Sequence, residues 1–317
     1  MPSDAIRLRT VALLLAAGAG AGLVLPAWLV SLVNLALGSG LVVLGLVVLW
    51  RTGLVPFGQG LYFAAGAYAV AMPARAYGVT DAFLLVALGT FAGAAVAVLA
   101  GFLLARYREI FFAMLSMALS MILYGVLANT AALGSTDGFN VPGATFLGWA
   151  PESVPRPLML YWLGLATVGA AVVVVAAYLR SIAGSLAIPI RDNEIRVEYL
   201  GLSVTQLVHV KIILAGGLAG AGGALVALSV GHVDPTMAYW TTSGGFVFVT
   251  ILSGSSSVFA PFAGAVLFEL VRSYALSFAP TAWQLILGSA LLLTILFLPS
   301  GLASIRWRRL PAGRRSA

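Results

Sequence analysis

The 317-residue chain has no cysteine, which excludes a disulfide framework and a thiolate metal site and leaves its redox compartment unreadable. Histidine is nearly as scarce. His209 and His232 lie far apart, neither has a second imidazole at metal-ligand spacing, and both read as helix-end residues near an interface, so no metal site is expected. Lysine occurs once, as Lys211 after Val210, whereas a phosphate-binding loop needs Gly-Lys-(Ser/Thr). ATP hydrolysis is therefore not expected in this chain, which has no catalytic residues of its own to nominate. Any energy it uses is borrowed from another chain or from an ion gradient.

Charge is short as well. Only 9% of residues are charged against 61% hydrophobic, and a mean hydropathy of +1.05 is too apolar for a surface that must meet water. A hydrocarbon core roughly 30 Å thick takes about 20 helical residues to cross, and the apolar runs have that length. Candidate spans lie near 10–30, 32–50, 57–74, 82–105, 110–128, 159–179, 209–230, 242–253, 260–279 and 282–299. The expected fold is an all-α, polytopic integral membrane protein of about ten transmembrane helices, forming a single transmembrane domain over residues 1–317. Arg7 and Arg9 before the first run give it the look of a secretory signal, but the run is long enough to span and is read as an uncleaved first helix.

The net charge of +7 has an orientation to report rather than a nucleic-acid partner. With ten spans both termini share one side. Placing that side in the cytoplasm puts Arg7, Arg9, Arg51, Arg106, Arg108, Arg180, Arg191, Arg196, Lys211, Arg306, Arg308, Arg309, Arg314 and Arg315 inside or at the inner boundary. Arg75, Arg156 and Arg272 fall toward the outside. One span more or fewer would scatter the later arginines onto the wrong face.

Two loops are long enough to do more than connect. The extracytoplasmic loop, about 129–158, is rich in Gly, Pro, Asp and Thr and suits either a contact with an external partner or a passive connector. The cytoplasmic loop, about 180–208, contains the most polar stretch of the chain, from Arg191 to Gly201. Ile195, Tyr199 and Leu202 share a helical face there, Asp192 and Arg196 stand at i,i+4, and Gly201 can end a helix in the left-handed conformation. The spacing predicts a short amphipathic helix, and spacing alone is equally met by a helix lying along the bilayer.

At these residues the chain resembles the LivM-type permeases of branched-chain amino acid ABC importers. Their cytoplasmic loop has the form A-I-R-(D/E)-N-E-I-R-A-E-x-L-G, nearly reproduced from Ile190 to Gly201. Gly53-Leu54-Val55-Pro56-Phe57-Gly58-Gln59-Gly60 resembles the family's G-L-V-S-F-G-(Q/H) before its third span. Phe112 to Leu115, Ile122 to Tyr124 and Thr136 to Phe139 resemble further segments, so the likeness runs from about Leu41 to Leu302. Departures are Pro56 for Ser, Pro189 interrupting the start of the cytoplasmic motif, and Ser253 to Pro261 in place of G-G-x-G-(T/S)-L-W-G-P.

The resemblance implies an inner-membrane importer with a second, LivH-like permease subunit, two cytoplasmic ATPases carrying ATP and Mg, and an extracytoplasmic solute-binding protein. This chain would be a translocation subunit in membrane lipid, with no cofactor of its own. The solute would be a branched-chain amino acid, or urea, a short amide or an aromatic acid as among relatives. The cytoplasmic helix would be the coupling helix: Arg191, Asp192, Asn193, Glu194, Arg196 and Glu198 set its charge register, Ile195 and Tyr199 anchor it, and Gly201 ends it.

Candidates for the substrate path come from helix breaks and polar stripes. Gly58, Gln59 and Gly60 precede the third span, and Gly254, Ser255, Ser256 and Ser257 precede the ninth. Such breaks either aim free N–H groups at a substrate carboxylate or simply pack helix ends. Ser116, Ser120 and Tyr124 recur at i, i+4, i+8 along the fifth span, facing the path or bonding back to their own helix. The small-residue run Gly216 to Ala224 suits close helix packing. Glu269 sits well inside a span with Arg272 three residues on. A lone charge at the bilayer centre costs roughly 2.5–3.5 kcal/mol, so Glu269 is expected to be paired. Its alternative role is proton coupling in a secondary transporter that needs no ATPase.

Overall fold

The structure is a computed structural model that describes residues 8–148, 154–254, 257–297 and 301. In chain order its helices are α1 (Leu8–Val24), α2 (Ala27–Trp50), α3 (Gln59–Tyr77), α4 (Ala82–Leu104), α5 (Glu109–Asn129) and α6 (Arg156–Arg180). The short helices α7 (Ile182–Ser185), α8 (Ala187–Asp192) and α9 (Glu194–Glu198) follow, and then α10 (Val204–Val230), α11 (Trp240–Ser253), α12 (Ala260–Phe278) and α13 (Trp283–Phe297). Ten of these have 14 residues or more, and each overlaps one of the apolar runs read from sequence. Five of them, α2, α4, α5, α6 and α10, are long and apolar enough to cross a membrane.

Local chemistry sets the ends. Asp81 caps α4 by accepting from Leu84 N at 3.0 Å, and Ser203 caps α10 by accepting from Gln206 N at 3.4 Å. α2 ends in a Schellman turn: Leu54 N donates to Leu49 O at 3.2 Å and Gly53 N to Trp50 O at 2.9 Å, with Gly53 in the left-handed region at φ +81°.

α2 and α10 form the centre of the bundle, with α3, α4, α6 and α12 packed round them. α2 is buried through an unbroken run from Ala36 to Leu49. Close approach is what the glycines supply. A Cβ on Gly216 would strike Ala97 and one on Gly220 would meet Gly93 Cα at 2.9 Å, so α4 and α10 touch backbone to backbone, as the small-residue run predicts.

At one end of the bundle the strand β1 (Phe139–Asn140) pairs antiparallel with β2 (His232–Val233). The loop around it is tied down: Thr145 N donates to Thr80 O at 2.7 Å, Ala82 N to Thr145 O at 2.8 Å, and Phe139 packs edge-on to Tyr68. His232 Nδ1 meets Asn140 Oδ1 at 2.9 Å in the strand pair, whereas His209 lies within α10, its Nε2 3.1 Å from Val98 O of α4 and its ring edge-on to Phe102, so it joins two helices rather than ending one.

The opposite end corrects one expectation. The stretch from Ile190 to Gly201 is not one amphipathic helix. Asn193 takes an extended conformation (φ −164°, ψ 101°) and its side chain caps α9 by accepting from Arg196 N at 3.1 Å, so the chain breaks between α8 and α9. Asp192 and Arg196 thus fall on different helices and do not pair; Asp192 instead lies 3.9 Å from the Arg191 guanidinium. Pro189 does not cause the break. It stands in the first turn of α8, where a missing N–H costs little, and accepts from Asn193 N at 2.9 Å. Gly201 does adopt the left-handed conformation, at φ +80°.

Candidate functional site

The first turns of α3 and α11 meet inside the bundle. Gly60 N donates to Ser243 Oγ at 2.9 Å, which joins the second residue of α3 to the fourth of α11. α5 supplies the third side. Ser116 Oγ accepts from Phe57 N at 3.1 Å, and Ser120 Oγ donates to Ala238 O at 2.7 Å. Ser116, Ser120 and Ser243 are all buried. Tyr124, one turn further along α5, packs against Tyr239 with ring centroids 4.9 Å apart.

Glycine makes this convergence possible. A Cβ on Gly58 would sit 2.5 Å from the Ser116 carbonyl carbon, and one on Gly60 would meet Ser243 Oγ at 2.8 Å and Met237 O at 3.0 Å. Between them Gln59 is completely buried, and neither polar atom of its amide has a hydrogen-bond partner among the described residues. A buried amide without partners is costly. Helix N-termini carry partial positive charge and free N–H groups, and two of them face this one polar cluster without a charged side chain in it.

Gly58, Gln59, Gly60, Ser116, Ser120 and Tyr124 are thus brought together from separate helices. Ser116 bonds back to its own helix, one of the two alternatives, its hydroxyl donating to Ala113 O at 2.8 Å while accepting from Phe57 N. Gly254 and Ser257 are elsewhere: Ser257 Oγ accepts from Phe259 N at 3.3 Å at the start of α12, and Gly254 is at the far end of α11 from Ser243. Ser255 and Ser256 lie outside the described residues. The partners that sequence reading missed are Ser243 and the turn of Met237, Ala238 and Tyr239. Their signal was the Asp234-Pro235 break followed by the polar run Tyr239 to Gly245, a second discontinuity in what passed for a plain loop and helix.

Glu269 is paired as expected, 3.7 Å from Arg272 and 3.5 Å from Ser39 Oγ. Arg272 also lies over the Trp283 ring at 6.0 Å, which links α12 to α13.

A second feature occupies the end of the bundle with the short helices. Ile190 and Val197 are buried, while Ile195, Tyr199 and Leu200 are exposed at 63%, 86% and 74%. Glu194 forms an ion pair with Arg108, whose guanidinium also donates to Ala105 O at 2.7 Å. The α8–α9 segment is thus fastened by one face and presents an apolar patch on the other. Arg191, Asp192, Asn193, Arg196 and Glu198 are exposed around that patch, but Glu194 is turned inward to the body of its own chain.

Residues 28–296 match the family described as the branched-chain amino acid transport system / permease component. The chain belongs to that family. It is 28% identical over 295 residues to the high-affinity branched-chain amino acid transport system permease protein LivM of Salmonella typhimurium, and equally to that of Escherichia coli, covering 86% of this chain and 68% of each relative. No solved structure matches it. Membership of this permease family, together with the apolar helices, makes the chain a multi-pass membrane protein and a transport component.

Proposed function

We propose that this chain is one permease subunit of an ABC importer for branched-chain amino acids or a chemically related small solute, working in the inner membrane. In this reading its single domain has about ten spans with both termini inside. It assembles with a second permease, two cytoplasmic ATPases that hold ATP and Mg, and an external solute-binding protein. The branched-chain solute is named for the LivM relatives, and urea, short amides and aromatic acids stay within the same transporter class.

One observation carries the proposal: the exposed apolar patch of Ile195, Tyr199 and Leu200 on a segment whose other face is buried and pinned by Arg108. Large apolar side chains so grouped and ringed by Arg191, Asp192, Arg196 and Glu198 suit a partner groove. The segment transmits a push because it is held to the body, and a freely hinged loop would not. The cluster at the α3 and α11 first turns is the solute path in its closed arrangement, with Ser116 and Ser243 occupying N–H groups that an amino-acid carboxylate takes when the helices part.

The test is Tyr199→Ala with Leu200→Ala. These side chains support no core, so the chain is expected to fold and insert normally while ATPase copurifying with it falls about tenfold, as loss of interface anchors does. Undiminished ATPase recovery with undiminished transport would remove the docking assignment.

A further inference from the structure

Lys211, the sole lysine of the chain, is completely buried on α10, and among the described residues its one hydrogen bond runs from Nζ to Thr52 Oγ1 at 2.9 Å. An ammonium has three N–H donors and is among the groups least suited to burial beside a single neutral partner. A methionine would fill similar space without desolvating a charge. The ammonium contributes position instead of packing: it fixes where Thr52 sits.

Thr52 occupies a mechanical junction. It lies in the Schellman turn that ends α2, and the next six residues, 53–58, form a non-helical strap leading to the first turn of α3. On one side the strap touches the docking segment, because the stem of Arg191 lies so close over Gly53 that a Cβ there would meet Arg191 Cγ at 2.9 Å. At its far end Phe57 N is held by Ser116 Oγ, and Gly60 N by Ser243 Oγ. The same docking segment is braced through Glu194 to Arg108. Displacement of α8 and α9 thus has a short, packed route to the α3 first turn, and that route passes the Lys211–Thr52 contact.

We propose that Lys211 is a positioning residue which clamps the strap at Thr52, so that motion of the α8–α9 segment is delivered to the N-terminus of α3 instead of being absorbed at the end of α2. This rests on the docking role given to α8 and α9 above. Without the clamp, the Schellman turn is free to yield and the α3 turn stays where Ser116 and Ser243 hold it.

The absence of native cysteine makes a direct test simple. Spin labels at Val55→Cys, in the strap, and Asn129→Cys, at the far end of α5, report the strap's position in the intact complex purified through this chain. ATP trapped with vanadate is expected to shift the 55–129 distance distribution in the otherwise unchanged complex. Lys211→Met and Thr52→Val are expected to lose at least half of that shift while ATP hydrolysis continues, and Thr52→Ser, which keeps the hydroxyl, to retain it. An equal shift in Lys211→Met and Thr52→Val, or no shift in the otherwise unchanged complex, overturns the clamp. Should Lys211→Met fail to accumulate, Thr52→Val decides alone, since it replaces a hydroxyl by a methyl of similar size. A complex that contains no ATPase overturns the docking reading and the clamp with it, whereas an intact complex whose variants move normally overturns the clamp only.

Discussion

At Gly58 a single missing methyl group decides whether the α3 first turn can reach α5. The backbone of Ser116 lies where a Cβ would go, with its carbonyl carbon 2.5 Å away, and backbone cannot rotate aside as a side-chain tip can. Gly58→Ala is therefore expected to push the strap off α5 and to break the Phe57 N to Ser116 Oγ bond. The cost is about 1–3 kcal/mol, as for overpacking generally. Thermal unfolding in detergent checks it, and an unchanged midpoint would mean that α3 and α5 are not held together as described. Glu194 teaches a different lesson at the same scale. Its sequence position marks it as a docking charge, yet it is used inside the chain, on Arg108. Both side chains are partly exposed, so Glu194→Ala should cost no more than about 1 kcal/mol of stability. Its effect on ATPase recovery then reports bracing of the segment rather than a lost contact with the partner.

Between elements, the packing of α4 against α10 depends on Gly89, Gly93, Gly216 and Gly220, which let two backbones meet. In a membrane this matters more than apolarity, because lipid is as apolar as any side chain and close van der Waals contact supplies much of the attraction. Gly220→Ala is expected to force the pair apart and lower stability by about 1–3 kcal/mol, measured by thermal unfolding. By contrast Gly125→Ala, with open space around it, should change little. The run Gly216 to Ala224 made this contact legible in advance, because only small residues at that density permit it. The α8–α9 segment was half legible. Its polarity and Gly201 gave its place and its end, but the periodicity suggested one helix where Asn193 makes two, since a side-chain cap competes with helix continuation and wins locally.

For the molecule as a whole, the transporter class turns on the source of energy. The proposed reading predicts that uptake of leucine into vesicles holding the complete system stops when the partner ATPase is inactivated and continues, with ATP supplied, after the proton gradient is collapsed. The reverse pattern would favour an ion-coupled carrier and would make Glu269, buried against Ser39 and Arg272, the first residue to test. Under the proposed reading Glu269→Gln leaves uptake driven by ATP, because the carboxylate serves to hold α12 to α2 and to Arg272.

The sequence by itself determined the solvent and the helices, and it holds no phosphate-binding loop. Hydropathy and the absence of a Gly-Lys-(Ser/Thr) loop are local properties, and local properties need no neighbours to act. Only the tertiary structure decided what meets what. Ser243 joined Gly60 across 183 residues, Lys211 found Thr52 across 159, and Glu194 turned inward to Arg108. No periodicity carries such pairings, because they are fixed by how α2, α3, α5, α10 and α11 pack, and packing is chosen by the shape of the whole bundle rather than by any one stretch of it.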